Sequence, residues 1–121
     1  MKCLVVDDSK MARRMTIKAL SDLISENDEI IQASNGEEAF NLYKEYNPDI
    51  CLMDLTMPVI DGFEATLNIK KFDEKAKIII ISADIQETSM EKAKKNGALG
   101  FIKKPVNSDN LKVMLEKLGL F

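Results

Sequence analysis

The chain has no histidine and no tryptophan. Without histidine it cannot itself serve as a phosphohistidine donor, and without tryptophan it offers no indole fluorescence to report on a site. Its two cysteines, Cys3 and Cys51, lie in apolar runs with no CxxC spacing. They read as reduced core thiols rather than a disulfide or metal pair. No apolar run approaches the length of a membrane span, and no GxxxxGK[ST] loop is present to cradle a nucleotide phosphate. No stretch reads as a linker, a repeat or low complexity. Basic residues are not in excess: the net charge is −3 over 121 residues, which argues against a broad nucleic-acid or anionic-membrane surface.

What is present is ordinary for a globular protein, 45% hydrophobic and 31% charged, so disorder is not expected. The length suits one domain over 1–121 with a single core. Met1 and Lys2 lead straight into a strand pattern with no signal peptide, and a cytoplasmic location is expected.

The hydrophobic pattern alternates. Lys2 to Asp7 reads as a short strand ending in acid, and Ser9 is placed to cap a helix from Lys10 to about Ile24. There Met11, Met15, Ala19, Leu20 and Leu23 recur at helical spacing, with Arg13, Arg14 and Lys18 on the other side. Glu29 to Ala33 is a second strand. Asn35 and Glu38 stand at capping-box spacing before a helix that carries Ala39, Phe40 and Tyr43 inward and stops before Asn47-Pro48. Ile50 to Met53 has no polar interruption, which suits a strand covered on both faces. After it come Asp54, a turn, Asp61-Gly62 and a helix to about Phe72. Lys77 to Ser82 carries four consecutive isoleucines and belongs at the sheet centre. A helix from about Gln86 to Asn96 stops at Gly97, a natural residue after a helix end. Leu99 to Lys103 is the fifth strand, and the last helix runs from about Asp109 to Leu118 with Leu111, Leu115 and Leu118 inward. Five strands alternating with five helices predict an α/β fold with a parallel sheet covered on both faces.

In such sheets, chemistry gathers at the carboxyl ends of the strands. Those ends carry Asp7 and Asp8, Asp54, Ser82 and Lys104. Singly, each is an ordinary cap, turn or surface residue. Together they put three acids, a hydroxyl and a lysine on one edge. Two carboxylates about 4 Å apart repel by about 4 kcal/mol at an effective dielectric of 20. Three must protonate, splay apart or share a cation. An all-oxygen, water-accessible set suits Mg²⁺. A carboxylate can also attack a phosphoryl donor to give an aspartyl phosphate, with Lys104 and the helix N-termini offsetting the charge.

With Asp7-Asp8, Asp54 followed by Met57-Pro58 and Asp61-Gly62, Ser82-Ala83 and Lys104-Pro105, the chain resembles the receiver domains of two-component response regulators, of the stand-alone chemotaxis type. The resemblance runs strand by strand through the whole chain. It implies a doubly wound, flavodoxin-like sheet of order 2-1-3-4-5. It implies that Asp54 accepts the phosphoryl group, and that Asp7, Asp8, Asp54 and the Thr56 backbone carbonyl hold Mg²⁺. Lys104 would pair with phosphoryl oxygens, with a cis peptide bond to Pro105. Ser82 would hydrogen-bond the phosphoryl group and draw in the loop after strand four, while Phe101 moves inward. Thr56 and Asp84 would tune phosphoryl lifetime.

A hydrogen bond to a charged group, about 1.5–3 kcal/mol, shifts a population roughly 13- to 150-fold. A full switch needs about 5.5 kcal/mol, so Ser82 has to share the load with Lys104 and loop repacking. The chemotaxis pattern usually has Tyr where this chain has Phe101, so any role of that hydroxyl is lost or replaced. The implied partners are a sensor histidine kinase, a phosphorylation-dependent protein target such as the flagellar switch, and a phosphatase. The protein would be a signalling monomer that catalyses only its own phosphorylation and dephosphorylation. Its output would pass through the helix at 86–96, strand five and the last helix, where Phe101, Lys92, Lys94, Lys95 and Lys103 gather or simply form a solvated face.

An intermediate receiver in a multistep phosphorelay is the alternative within the family. A haloacid-dehalogenase-type phosphohydrolase would want a second Asp at position 56, where this chain has Thr56. A flavodoxin-like flavin carrier would want a hydroxyl-rich phosphate loop where Asp7-Asp8 stand.

Overall fold

A computed structural model describes residues 1–83 and 85–120. Ten elements alternate: β1 (Lys2–Val6), α1 (Lys10–Ser21), β2 (Glu29–Ala33), α2 (Gly36–Tyr46), β3 (Ile50–Met53), α3 (Gly62–Phe72), β4 (Ile78–Ser82), α4 (Glu87–Lys95), β5 (Gly100–Lys103) and α5 (Ser108–Lys117). The strands form one parallel sheet of order β2-β1-β3-β4-β5. All side chains of β3 and β4 are buried, as unbroken apolar runs require when helices cover both faces. The isoleucine strand β4 is interior, but the middle position belongs to β3, since β4 is followed outward only by β5.

Alternation along each strand divides the core in two. Leu4, Val6, Cys51, Met53, Ile78 and Ile80 pack on one side with α2, α3 and α4. Cys3, Val5, Ile50, Leu52, Ile79 and Ile81 pack on the other with α1 and α5. The paired register sets Cys3 opposite Ile50 and Leu4 opposite Cys51. The two thiols therefore face opposite layers, and both are free.

The caps follow the sequence closely. Ser9, Asn35, Asp61 and Asn107 each accept a backbone N–H from the residue three positions on. Only half of the Asn35/Glu38 box forms, because the Glu38 carboxylate turns to the Ser34 N–H instead. The complete box lies at Asn107 and Asn110.

Helix α1 departs from its sequence reading in two respects. It ends at Ser21 rather than near Ile24, and its buried residues are Thr16, Ala19 and Leu20. Met11 (74% exposed) and Met15 (47%) lie outside the core. The first turns of α1 begin beyond the end of β1, so the apolar stripe overshoots the layer that would cover it. At the other end of the chain, Leu111 and Leu115 are buried as expected and Leu118 packs only partly.

Candidate functional site

The site is assembled where strands end and helices begin. β1 delivers Asp7 and Asp8, β3 delivers Asp54, β4 delivers Ser82, and the turn after β5 delivers Lys104. Asp7, Asp54 and Ser82 are buried, whereas Asp8 is exposed. One carboxylate oxygen from each of the three acids lies within 4.8 Å of the others. Lys104 reaches into this group: its Nζ donates to Asp7 Oδ2 at 2.8 Å and pairs with Asp54 Oδ1 at 3.2 Å. Its backbone N–H is held by the Ser82 carbonyl, and the Lys104–Pro105 peptide bond is cis.

The electrostatics follow from the crowding. Burial raises the Asp54 carboxyl above its ordinary pKa, the nearby Asp7 charge adds to that, and Lys104 opposes it incompletely. Burial alone would lower Lys104, but its hydrogen bond to Asp7 and the Asp54 charge outweigh that and leave the ammonium firmer than usual. One lysine thus serves two buried acids, and among the described residues the ion pairs of the site do not include Asp8.

Asp7 is fixed at several points. Its Oδ1 accepts the Ser9 N–H (2.9 Å), its Oδ2 accepts Lys104, and its backbone carbonyl accepts Arg13 Nη1 (2.6 Å). Hydrophobic periodicity put Arg13 on the solvent face of α1, yet it is half-buried and turned to the sheet edge. The signal available in the sequence was only its position four residues after the Ser9 cap, one helical turn above the acids.

Asp54 is held from below. Its N–H donates to the Val6 carbonyl. A Cβ placed on Gly62 would sit 2.0 Å from the Asp54 carbonyl oxygen and 2.8 Å from Leu55 Cα. That contact is why a glycine opens α3: the helix start lies directly against the backbone carrying the acid. The loop between them contains Val59 at φ +69°, exposed, with the Ile60 N–H donating to the Pro58 carbonyl at 2.8 Å. A β-branched residue with positive φ is a strained conformation that periodicity does not reveal.

The remaining site residues separate. Thr56 is exposed at the rim, while Phe101 is half-buried on β5, packed partly against the α2–α4 layer. Asp84 falls outside the described residues. Of the lysines assigned to the α4–β5–α5 face, Lys94 and Lys103 border its grooves beside Phe101 and Met114. Lys92 instead lies over the Phe63 ring of α3, 4.4 Å from its centre.

The acid group fits a small hard cation. All its donors are oxygens, and Asp8 leaves one side open to water, as Mg²⁺ prefers.

Comparison with known proteins agrees. Residues 3–116 match the family model described as the response regulator receiver domain. The chemotaxis protein CheY of Halobacterium salinarum is 48% identical over 103 residues, covering 84% of this chain and 82% of that protein. CheY of Listeria monocytogenes is 40% identical over 97% of both chains. Among solved structures, a chain of the CheX-CheY-BeF3-Mg²⁺ complex of Borrelia burgdorferi superposes with a TM-score of 0.86. It is 31% identical and covers 100% of this chain and 90% of that one. Sheet order, strand-end acids and nearly full-length similarity to chemotaxis proteins converge on one assignment: the chain belongs to the response regulator receiver domain family.

Proposed function

We propose that this protein is a phosphoacceptor that signals by changing the partners its surface admits. The observation that supports this best is the shared lysine: Lys104 Nζ lies 2.8 Å from Asp7 and 3.2 Å from Asp54, within a set of three carboxylates. Asp54 is the nucleophile: its carboxylate oxygen bonds to phosphorus as the P–N bond of a sensor kinase's phosphohistidine breaks and releases imidazole, or as the P–O bond of a small acyl phosphate breaks and releases a carboxylate. Asp7, Asp8, Asp54 and the Thr56 carbonyl are the proposed ligands of Mg²⁺, which when bound offsets phosphoryl charge that the acids would repel. Lys104 transfers its contact from the free carboxylates to the phosphoryl oxygens, so its ammonium is in place before the reaction. Ser82, buried at the end of β4, hydrogen-bonds the phosphoryl group, and Phe101 on β5 follows the movement inward. Thr56 and Asp84 set the phosphoryl lifetime.

The output surface in this reading is α4, β5 and α5, and the output is chemotaxis through a flagellar-motor target, with a phosphatase resetting the signal. The protein acts as a monomer in the cytoplasm, without nucleic acid or membrane. Among the described residues no helix is long and apolar enough to cross a membrane.

The test is intact mass after incubation with acetyl phosphate. A gain of one phosphoryl group, dependent on Mg²⁺ and lost in Asp54→Asn, is expected. Folded protein that gains no mass, from acetyl phosphate or from an added histidine kinase, would overturn the phosphoacceptor reading.

A further inference from the structure

Asp8 is the least supported of the three acids. It is exposed and takes no part in the ion pairs that hold Asp7 and Asp54. Its direction therefore depends on the Asp7–Asp8 peptide. That peptide lies just beyond the end of β1, where pairing with β2 stops at Val6 and Ala33. The Asp7 carbonyl is held from outside the sheet, by Arg13 Nη1 at 2.6 Å. The guanidinium is anchored in turn, since its Nε donates to Gln32 Oε1 on β2 at 3.2 Å. The arginine backbone is itself fixed in the first turn of α1 by the Ser9 carbonyl. A rigid planar fork between a strand end and the neighbouring strand fixes a peptide plane in a way that a single flexible ammonium does not.

We infer that Arg13 is a positioning residue for the cation site: by clamping the Asp7 carbonyl against Gln32 it orients the Asp7–Asp8 peptide so that both carboxylates meet one ion. The inference rests on the metal-site reading above. It has a sign that separates it from plain electrostatics. Arg13 carries a positive charge close to the site, so Coulomb repulsion alone predicts that its removal tightens cation binding. Positioning predicts the reverse, because groups that orient metal ligands typically contribute 10–100-fold in affinity.

The experiment is calorimetric titration of the unphosphorylated protein with MgCl₂, with melting temperatures recorded separately in EDTA. Arg13→Ala is expected to bind Mg²⁺ about 10–100-fold more weakly than wild type. Arg13→Lys, which can restore one hydrogen bond but not the fork, is expected to regain part of that loss. Gln32→Ala, which frees the fork at one end, is expected to lose a few-fold, and Arg14→Ala, on an exposed position, to match wild type. Unchanged or tighter binding in Arg13→Ala, with wild type binding normally, would overturn the positioning role and leave the metal reading intact. An equal loss in Arg14→Ala would do the same. Wild-type protein that takes up no Mg²⁺ would overturn the metal reading and this inference with it.

Discussion

The two edges of the sheet are built on opposite plans. At the amino edge Asp28, Asp49 and Asp73 each have their own donors. Asp28 takes the Met1 ammonium at 2.5 Å and the Ser25 N–H at 2.9 Å. Asp49 accepts the Lys2 N–H at 2.7 Å. Asp73 takes the Tyr43 hydroxyl at 2.8 Å and the Lys75 N–H at 3.0 Å, and Lys70 closes the end of α3 on the Glu74 and Ala76 carbonyls. At the carboxyl edge three acids crowd together and Lys104 pairs with two of them, Asp7 and Asp54, and the loop after β3 carries a valine in a left-handed conformation. These three acids at the first edge are satisfied within the chain. At the second, like charges are held together by the covalent frame, a state that a bound cation would relieve. Strain and unbalanced charge collect at the edge that carries the candidate site, at a cost that the other edge and the core offset.

The largest effect is expected where the frame is tightest. In Gly62→Ala the new Cβ would overlap the Asp54 carbonyl oxygen at 2.0 Å. The obstacle is backbone on both sides, so no side chain can rotate away. Overpacking of this kind costs about 1–3 kcal/mol and occasionally more. Here the upper end is expected, a fall in melting temperature of about 10 °C, together with loss of phosphoryl uptake because Asp54 is displaced. Gly36→Ala is a useful companion, since its Cβ would meet the Ile60 carbonyl at 2.3 Å. It is expected to cost comparable stability while disturbing Asp54 less directly. Melting curves and intact mass on both variants separate the two consequences. A Gly62→Ala protein with wild-type stability and uptake would show that the α3 start can shift freely, and would remove the basis for calling this edge rigid.

The second effect belongs to the core and the satisfied edge, and it is a matter of pH. Burial pushes Cys3 up to about 11 from an ordinary 9.0. Cys51 is raised further by the same cause, and Tyr43 is raised by burial and by its hydrogen bond to Asp73. A group whose pKa is raised by folding contributes its full stability below the unfolded value, and that contribution is lost as pH rises toward the folded value. The thiols therefore cost nothing near neutrality. Above pH 9 each withdraws about 1.4 kcal/mol per pH unit until it ionises in the folded state. Stability should fall steeply between pH 9 and 10.5, by roughly 3 kcal/mol from the two thiols together, and the thiols should stay unreactive to alkylating agents at pH 8. In Cys3→Ala/Cys51→Ala the absolute stability is lower, but the slope over that interval should flatten. Denaturant midpoints at pH 8, 9 and 10 measure this, and an unchanged slope would mean that some other group governs alkaline unfolding.

The same contrast explains what the sequence could reveal. Strand runs such as Ile50–Met53 and Ile78–Ser82 are legible because full burial on two faces needs uninterrupted apolar residues. The acids are legible because a parallel sheet sends every strand end to one edge. Topology, not local preference, brings Asp7, Asp8, Asp54 and Lys104 together. Arg13 was hidden because a helical period reports which side faces the core. It does not report that the first turns of α1 extend past the sheet, leaving Met11 and Met15 uncovered while an arginine turns inward. The Gly62 contact and the Val59 conformation were hidden for a related reason. Both arise from the approach of a loop to a strand end, and no periodicity encodes that distance.

The smallest effect has the most diagnostic sign. Asp54 is 93% removed from solvent, beside a second buried acid, with a lysine it must share. Keeping its charge there is unfavourable, because burial and Asp7 together outweigh Lys104. Asp54→Asn keeps the shape and removes the charge, and it lets Lys104 pair with Asp7 alone. In EDTA the variant is expected to be more stable than wild type by about 0.5–1 kcal/mol, a gain of the kind seen when a functional residue is replaced. The same exchange at the amino edge, Asp73→Asn, should lower stability by about 1 kcal/mol, since the carboxylate there accepts from Tyr43 and Lys75 without a competing acid. Saturating Mg²⁺ should narrow or reverse the advantage of Asp54→Asn, because the ion supplies to the wild-type acids the charge they lack. Opposite signs for the two Asp→Asn changes would establish that the edges differ in kind. Equal destabilisation by both would mean that Lys104 alone balances the carboxyl edge, and that its acids are held no less comfortably than those at the other end of the sheet.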